Sequence, residues 1–135
     1  MAKTFNVEII TPGTEPIRIE VESLQTNTSS GEVEFKAHHT AIILSTVPAT
    51  TTITTADGKK EYLFTSSGIV YLKNNVLKFC CDAAEDASDI DFNRAENAKK
   101  RAEERLKEDK DIDIERAKMA LARANARLQT ISINQ

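Results

Sequence analysis

The chain changes composition abruptly at Asp82, and this boundary constrains the fold more than any other feature of the sequence. All four glycines and all three prolines lie before it, whereas the stretch from Ala83 to Leu128 contains neither residue and is rich in alanine. Glycine and proline interrupt helices, so their absence together with frequent alanine favours helix. We therefore expect a β-rich domain, residues 1–86, followed by a helical domain, residues 87–135.

Residues 3–81 alternate between apolar and polar side chains, as strands with one buried face do. Turn-forming pairs such as Asp57-Gly58 and Asn74-Asn75 separate the alternating segments, and Asp-Gly favours a tight hairpin. Many short strands at even spacing predict an antiparallel sandwich or a flattened barrel. The predicted strands cover residues 5–9, 17–21, 32–36, 42–47, 50–55, 61–65, 69–72 and 76–81.

The first predicted helix runs from about Asp89 to Leu106. Ser88 is followed three residues later by Asp91, which is the spacing of a capping box at the start of a helix. The charged residues 107–110 are predicted to form a turn after this helix. The start of the helical domain should therefore lie only a few residues after the last strand.

The second predicted helix is capped by Asp111 and runs to about Ile131. Two helices joined by a short turn predict an antiparallel hairpin. The apolar stripes are mostly alanine and bury little area, since each CH₂ group contributes only about 0.8 kcal/mol. We therefore expect a marginal hairpin that can detach from the surface it packs on. The stripe residues are Ala95, Ala98, Ala102 and Leu106 in the first helix, and Ala117, Ala120, Leu121, Ala124, Leu128 and Ile131 in the second.

The net charge of −3 conceals a difference between the two domains. Residues 1–86 hold 7 basic and 11 acidic residues, a net charge of −4, whereas residues 87–135 hold 11 and 10, a net charge of +1. Six of the seven arginines lie in the second domain. Because the guanidinium group suits phosphate and carboxylate, an anion-binding role is expected there. Neither domain is basic enough to indicate a nucleic-acid partner.

The arginines of the helical domain form two rows. Arg116, Arg123 and Arg127 share one edge of the second helix, because at about 100° per residue they point within roughly 40° of each other. Arg94 and Arg101 are seven residues apart and share a face of the first helix. In an antiparallel hairpin the two rows can converge on one anion. The alternative is a solvated basic face whose arginine stems cover alanines.

No other group of residues predicts catalysis or a metal site. His38 and His39 are adjacent, and no nearby cysteine or carboxylate completes a zinc site, so a turn or a contact with a partner is expected. A disulfide between the neighbours Cys80 and Cys81 would be strained. We therefore expect both cysteines to be ordinary residues of a strand, with one side chain facing the core. No serine has a catalytic context, and no glycine-rich phosphate loop occurs.

Two observations bear on the compartment. No apolar run approaches the roughly 18 residues that suggest a membrane span. Residues 1–11 alternate between polar and apolar side chains and do not have the layout of a signal peptide. We therefore expect a protein of the cytosol or of the cytosolic side of a membrane, with no direct membrane insertion.

Four segments of the sequence carry a resemblance to a known family, namely residues 31–35 with 39–43, residues 66–70, residues 75–85 and residues 90–95. In order and spacing, and over nearly the full length, they resemble the epsilon subunits of bacterial F-type ATP synthases. Ile90 to Ala95 matches the Ile/Leu-Asp-x-x-Arg-Ala motif of the members that bind ATP. Ala41 stands where the family usually has proline, and Ala49 and Ser67 stand where it usually has glycine.

The resemblance implies a β-sandwich of about ten strands with a C-terminal helical hairpin. It also implies a non-catalytic subunit of the central stalk, peripheral to the cytoplasmic face of the bacterial cell membrane, without a covalently bound cofactor or a metal. The sandwich would bind the gamma subunit and the c-ring. The hairpin would fold down on the sandwich or extend into the alpha/beta catalytic head, where it would block ATP hydrolysis.

For ATP-binding members, the resemblance implies ATP as a regulatory ligand of the folded-down hairpin. The alternative is a structural adaptor whose hairpin binds only protein, its arginines pairing with acids on the head. A role in helix capping would also explain Asp91 by itself. The positions that match the family's ATP site are Glu85, Ile90, Asp91, Arg94, Ala95, Arg101, Arg116, Arg123 and Arg127.

Overall fold

The computed structural model describes residues 3–108 and 114–135, and it confirms the expected β-sandwich followed by two helices. Nine strands lie in the described residues, close to the ten that were expected. They are β1 (Phe5–Ile10), β2 (Ile17–Thr28), β3 (Gly31–Lys36), β4 (Ile42–Thr46), β5 (Ala49–Thr55), β6 (Lys60–Thr65), β7 (Gly68–Lys73), β8 (Val76–Cys81) and β9 (Ala84–Asp86).

The strands follow the order β4-β7-β8-β1-β2-β5-β6-β9, with β3 paired to β2 beside this path. Among the described strands, the pairing of β1 with β8 is parallel and the others are antiparallel. β2 pairs with β1 through residues 17–21 and with β3 through residues 23–28. Its register against β5 shifts between Val21 and Ser23, and such a bulge bends a strand locally. The long β2 thereby connects two groups of strands.

The core of the sandwich is built from alternate positions of its strands. In β1, Phe5, Val7 and Ile9 are buried and the residues between them are not. Leu77 and Phe79 of the parallel neighbour β8 are buried in the same way. Successive side chains of a strand point to opposite faces. The buried residues of the main apolar cluster all come from strands β1 to β8, so the sandwich has a core without the helices.

The second half of β2 was not expected to be a strand, because its residues are mostly polar. Thr26 is fully buried there, as are Thr51 on β5 and Thr65 on β6. The hydroxyl oxygens of Thr26 and Thr51 are 2.9 Å apart, and those of Thr51 and Thr65 are 2.7 Å apart. Buried hydroxyl groups are tolerated when they are hydrogen-bonded. Three hydrogen-bonded threonines, one on each of three neighbouring strands, therefore occupy buried positions that are usually apolar.

The first helix is α1 (Phe92–Lys107), and it begins three residues later than expected. Asp91 is its N-cap, since the side chain accepts a hydrogen bond of 3.1 Å from the backbone N–H of Arg94. Ala95 and Ala102 are buried, and α1 packs mainly on the second helix. The other two residues of the expected stripe, Ala98 and Leu106, are half-buried, so the stripe is confirmed in part.

The prediction of a capping box starting at Ser88 is wrong. Ser88 lies in a 3₁₀ turn, Ala87–Asp89, whose cap is Asp86. Oδ1 of Asp86 accepts hydrogen bonds from the backbone N–H and the hydroxyl of Ser88, over 2.9 and 2.7 Å. The serine hydroxyl is therefore engaged with the preceding residues, and the carboxylate of Asp91 caps the helix instead.

The second helix is α2 (Ile114–Asn134), which ends three residues later than expected. The predicted cap, Asp111, lies outside the described residues. Ala117 and Ala124 of the predicted stripe are buried. Ala126 and Thr130 are also buried, and at about 100° per residue they lie on the opposite side of the helix from Ala124. α2 is therefore covered on two sides, since it packs both on α1 and on β5 and β6.

Neither helix of the described residues combines the length and the apolar character needed to cross a bilayer.

Candidate functional site

β9 carries the first residue of the site, and its pairing with β6 determines where that residue lies. Glu85 is the cross-strand partner of Phe64, so the two side chains share one face of the sheet, with Cβ atoms about 5 Å apart. Ser66 anchors the start of β9. Its backbone N–H donates to the carbonyl of Ala83 over 3.0 Å, and its hydroxyl accepts from the Ala83 N–H over 2.9 Å. The last strand thus holds Glu85 beside Phe64.

The connection from β9 to α1 brings three further residues to the same region. The 3₁₀ turn ends at Asp89, and Ile90 follows with an extended backbone, φ −79° and ψ 128°. Asp91 then caps α1. The connection is only five residues long, so these side chains stay close to Glu85 and to the first turn of the helix.

A pocket of about 490 Å³ opens between this connection, α1 and α2. Its volume is in the range of about 300–1,000 Å³ that small-molecule sites occupy. Two arginines of α1 and one of α2 line it, so the row of α1 meets one member of the row of α2 here. The lining residues are Glu85, Asp89, Ile90, Asp91, Arg94, Ala95, Ala98, Arg101 and Arg127.

Seven of the nine residues expected at an ATP site line this pocket, and Arg116 and Arg123 do not. Both lie nearer the start of α2, and at about 1.5 Å per residue Arg116 is about 16 Å from Arg127 along the helix axis. Arg123 is half-buried, whereas Arg116 is exposed and has a contact of its own.

Asp89 and Ala98 line the pocket but were not expected there. Because the predicted helix started at Asp89, this residue was not expected in the connection between β9 and α1. The position of Ala98, in contrast, could have been inferred from the sequence. It lies four residues after Arg94 and three before Arg101, and these spacings put all three residues on one face of a helix.

The arginines of the pocket differ in their partners. Arg127 donates its Nε–H to Oε1 of Glu85 over 2.7 Å, and its guanidinium carbon lies 4.3 Å from the centre of the Phe64 ring. Arg94 and Arg101 form no ion pair within the described part of the chain. The lining also holds the carboxylates of Glu85, Asp89 and Asp91, and Glu85 is paired with Arg127. The guanidinium groups of Arg94 and Arg101 are therefore the cations that an anionic ligand could bind.

His38 and His39 lie in the loop between β3 and β4, and both side chains are exposed. His38 has a φ of 64°, and its backbone N–H donates to Oδ1 of Asn75 over 2.8 Å. The ring of His39 packs edge-on against Phe35, with centroids 5.5 Å apart, and its Nδ1 lies 2.7 Å from the carbonyl oxygen of Thr40. The expected turn is confirmed, and contact with a partner stays a prediction.

A group of exposed side chains lies at the other end of the strand order from β9. Ile43 of β4 pairs with Tyr71 of β7, and they are 65% and 43% exposed. Ile69 of β7, which is 49% exposed, pairs with Cys80 of β8. Cross-strand partners share a face, and adjacent apolar side chains exposed on one face mark interaction sites. We call Ile43, Ile69, Tyr71 and Cys80 the outer patch.

The two cysteines have opposite environments. Cys80 is exposed in the outer patch, and Cys81 is buried, as expected for one member of the pair. Burial raises the pKa of the Cys81 thiol to about 11, with smaller contributions from Cys80 and Asp82. Because the thiolate is the reactive form, we expect the buried Cys81 thiol to react slowly near neutral pH.

Two solved assemblies contain chains with this fold. A chain of the Euglena gracilis mitochondrial ATP synthase, in an OSCP/F1/c-ring structure, is similar with a TM-score of 0.82 and 18% identity, over 93% of this chain and 79% of that one. A chain of the Tetrahymena thermophila mitochondrial ATP synthase central stalk and c-ring has a TM-score of 0.56 and 11% identity, over 99% of this chain and 98% of that one.

Closer relatives are found by sequence. The ATP synthase epsilon chain of Clostridium novyi is 42% identical over 106 residues, which are 78% of this chain and 81% of the relative. That of Clostridium perfringens is 44% identical over 103 residues, which are 76% and 77%. The model of the ATP synthase delta/epsilon chain β-sandwich domain matches residues 4–87, and that of the long α-helix domain matches residues 88–132. Since these matches together span almost the whole sequence, the chain belongs to the ATP synthase delta/epsilon chain family.

Proposed function

We propose that the chain is a rotor subunit in the central stalk of an F-type ATP synthase, at the cytoplasmic face of the bacterial membrane. It catalyses no reaction itself. Its relatives are named ATP synthase epsilon chains, and chains of the same fold come from assemblies described as containing the central stalk or the c-ring. The sandwich binds the gamma subunit and the c-ring, and the hairpin, when extended, reaches the alpha/beta head and inhibits ATP hydrolysis.

The regulatory part of the proposal is that ATP occupies the pocket and keeps the hairpin folded on the sandwich. One observation carries it, namely that Arg94, Arg101 and Arg127 line a single pocket of nucleotide size. Guanidinium groups bind phosphate oxygens through paired, charge-assisted hydrogen bonds. Ile90 and Ala95 line the same pocket and offer apolar contact to the base.

The position of the pocket links binding to the state of the hairpin. Its walls come from α1, α2 and the connection that leaves β9, so separating the helices from each other or from the sandwich dismantles it. A ligand shifts an equilibrium only by its difference in affinity for the two states. With free ATP at a hundred times the dissociation constant, the folded-down form gains about 2.7 kcal/mol, which is comparable to the burial of one large apolar side chain.

Calorimetric titration of the full chain with ATP tests the site directly. Arg101→Ala should weaken binding because Arg101 lines the pocket and has no carboxylate partner in the described part of the chain. Lys100→Ala is the matched control, since Lys100 is the exposed neighbour of Arg101 and does not line the pocket. Equal losses in the two variants would mean that only diffuse charge attracts ATP. An absence of heat with the wild-type chain would favour the structural adaptor.

A fluorescent pair tests the coupling between ATP and the hairpin. One dye is attached to the sandwich and the other near Ile131, in the assembled ATP synthase. The distance between the dyes should lengthen when ATP is withdrawn, and Arg101→Ala should lengthen it at an ATP concentration that holds the wild-type hairpin down. A distance that responds neither to ATP nor to the substitution would contradict the sensor.

The outer patch is the surface we assign to the gamma subunit. Its Ile43, Ile69 and Tyr71 side chains expose contiguous apolar area, and Cys80 beside Ile69 offers a natural reporter. Maleimide should label Cys80 rapidly in the isolated chain and slowly in the complex with gamma. Unchanged labelling on complex formation would place the gamma interface elsewhere on the sandwich.

A further inference from the structure

Phe64 is the one large aromatic side chain that joins the sandwich to an arginine of the pocket among the described residues. It is fully buried, yet it lies outside the main apolar cluster of the sandwich. Its ring faces the guanidinium of Arg127 at 4.3 Å. A cation at this distance from an aromatic ring is held by the quadrupole of the ring. Phe64 therefore lies between the sandwich and α2, beside Arg127.

The strand register explains how Phe64 and Glu85 act on the same arginine. They are cross-strand partners on β6 and β9, so their side chains emerge side by side toward α2. The Nε–H of Arg127 donates to Glu85, and the guanidinium carbon lies over the ring of Phe64. Two contacts from neighbouring strands therefore hold the same group.

This arrangement leaves the outer end of the guanidinium available. The group has five N–H donors, and Glu85 takes the one on Nε. Within the described part of the chain, the terminal nitrogens of Arg127 make no hydrogen bond. Arg127 lines the pocket together with Arg94 and Arg101. An arginine held by two contacts before a ligand arrives loses less side-chain freedom on binding.

We propose that Phe64 is a positioning residue of the nucleotide site, which orients Arg127 toward the phosphates without touching the ligand itself. This inference rests on the proposed ATP site and extends it to a residue of the sandwich that does not line the pocket. Removing the ring leaves the charge of Arg127 unchanged, but the guanidinium group is then no longer held in one orientation. ATP affinity should then fall, although every residue of the pocket lining is unchanged.

Calorimetry with ATP on the full chain tests the proposal through Phe64→Leu. We expect binding to weaken about three- to tenfold, as for loss of a partly desolvated cation–aromatic contact. The matched control is Phe79→Leu, since Phe79 is equally buried but lies on β8 within the main cluster. It should lower the unfolding midpoint without changing ATP affinity. Equal affinity losses in the two variants would overturn the proposal.

A double-mutant cycle separates positioning from general loosening of the fold. If Phe64 acts through Arg127, Phe64→Leu has no further effect on ATP affinity in a chain that already carries Arg127→Ala. If the same fold-change persists in that background, the ring supports the pocket in some other way and the inference fails.

A measurement without nucleotide keeps this inference separate from the proposed ATP site. The Nε–H resonance of Arg127, assigned by its loss in Arg127→Lys, should be shifted by the ring current of Phe64 in ¹⁵N–¹H spectra. Phe64→Leu should remove the shift, and Phe79→Leu should leave it. If wild type binds no ATP but shows this pattern, the ATP site fails while the positioning of Arg127 stands. A resonance unaffected by Phe64→Leu would refute the positioning.

Discussion

The hydroxyl groups of Thr50 and Thr130 are 80 residues apart in the chain, and their oxygens are 2.7 Å apart in the fold. Thr50 lies on β5 and is the cross-strand partner of Phe64 on β6, which in turn is the partner of Glu85 on β9. The row Thr50, Phe64 and Glu85 thus runs across three strands. It meets α2 at Thr130 and Arg127, which are three residues apart and share a helix face.

The hydrogen bonds of Thr130 should stabilise the contact between α2 and β5. Thr130→Val keeps the shape of the side chain and removes its bonds to Thr50 and to the carbonyl of Ala126. Unfolding by urea, followed by circular dichroism, should show a loss of about 0.5–1.5 kcal/mol because the half-buried Thr50 hydroxyl loses its partner. Thr54→Val on β5 is the control, with a smaller effect expected. Equal effects would mean that the contact contributes nothing specific.

Asp91 allows its two expected roles to be separated. Asp91→Ala should destabilise the chain by about 1 kcal/mol through loss of the N-cap, whereas Asp91→Asn should keep the cap. If the carboxylate also contacts ATP, both variants bind ATP more weakly than wild type. Thermal unfolding reports the cap and calorimetry reports the ligand. An Asn variant with wild-type ATP affinity would leave Asp91 with the capping role alone.

The arginines of α2 should differ in their importance for ATP. Arg127→Ala should weaken binding about 10- to 150-fold, the equivalent of a lost charge-assisted hydrogen bond of about 1.5–3 kcal/mol. Arg123→Ala should have a smaller effect because Arg123 lies outside the pocket lining. Lys118→Ala should have none, since Lys118 is exposed and lies 3.7 Å from Glu115. Titration calorimetry gives the order, and an Arg123 effect equal to that of Arg127 would contradict it.

Residues 1–86 are expected to fold without the helices. The buried residues of the main apolar cluster all belong to strands β1 to β8, and the strand pairings that surround it are complete within that span. The fragment should unfold in one cooperative transition and bind the gamma subunit. A molten product without a cooperative unfolding transition would show that the sandwich depends on the hairpin.

The vicinal cysteines should react differently with a thiol reagent. At pH 7, maleimide should modify Cys80 in the folded chain and leave Cys81 protonated and buried, since the pKa of Cys81 is raised to about 11. Both thiols should react after unfolding in urea. Mass spectrometry counts the labels, with Cys80→Ser as the control that should take none when folded. Two labels on the folded wild-type chain would contradict the burial of Cys81.

The strands could be predicted wherever apolar and polar residues alternate, as in β1 and β8. Alternation did not predict the strand segments in which polar residues are buried or in which successive residues are all buried. From the sequence, the polar side chain of Thr26 would be expected at the surface, because its hydrogen bond to Thr51 is visible only in the structure. Leu63, Phe64 and Thr65 are all buried in succession, which alternation does not explain. Phe64 is covered by α2, a contact between distant parts of the chain.

The candidate site was predictable to the extent that it depends on helix periodicity and on the resemblance to a family. Spacing alone put Arg94 and Arg101 on one face, and the structure brings both to the pocket with Arg127. Arg116 and Arg123 were expected there because they match the family's ATP-site positions, and spacing does not say how far along α2 the pocket reaches. The role of Phe64 depends on the register of β6 with β9, which a single sequence does not reveal.

The burial of Phe64 has a consequence for how the subunit enters its complex. Any movement that lifts α2 from β6 brings this ring into water, at a cost of about 1.5–3 kcal/mol. In a free chain nothing replaces the helix over the ring, and an exposed aromatic face favours self-association. The isolated subunit is therefore expected to keep its hairpin folded on the sandwich even when ATP is scarce. The hairpin would then extend only in the assembled ATP synthase, where a neighbouring subunit can cover the exposed strand.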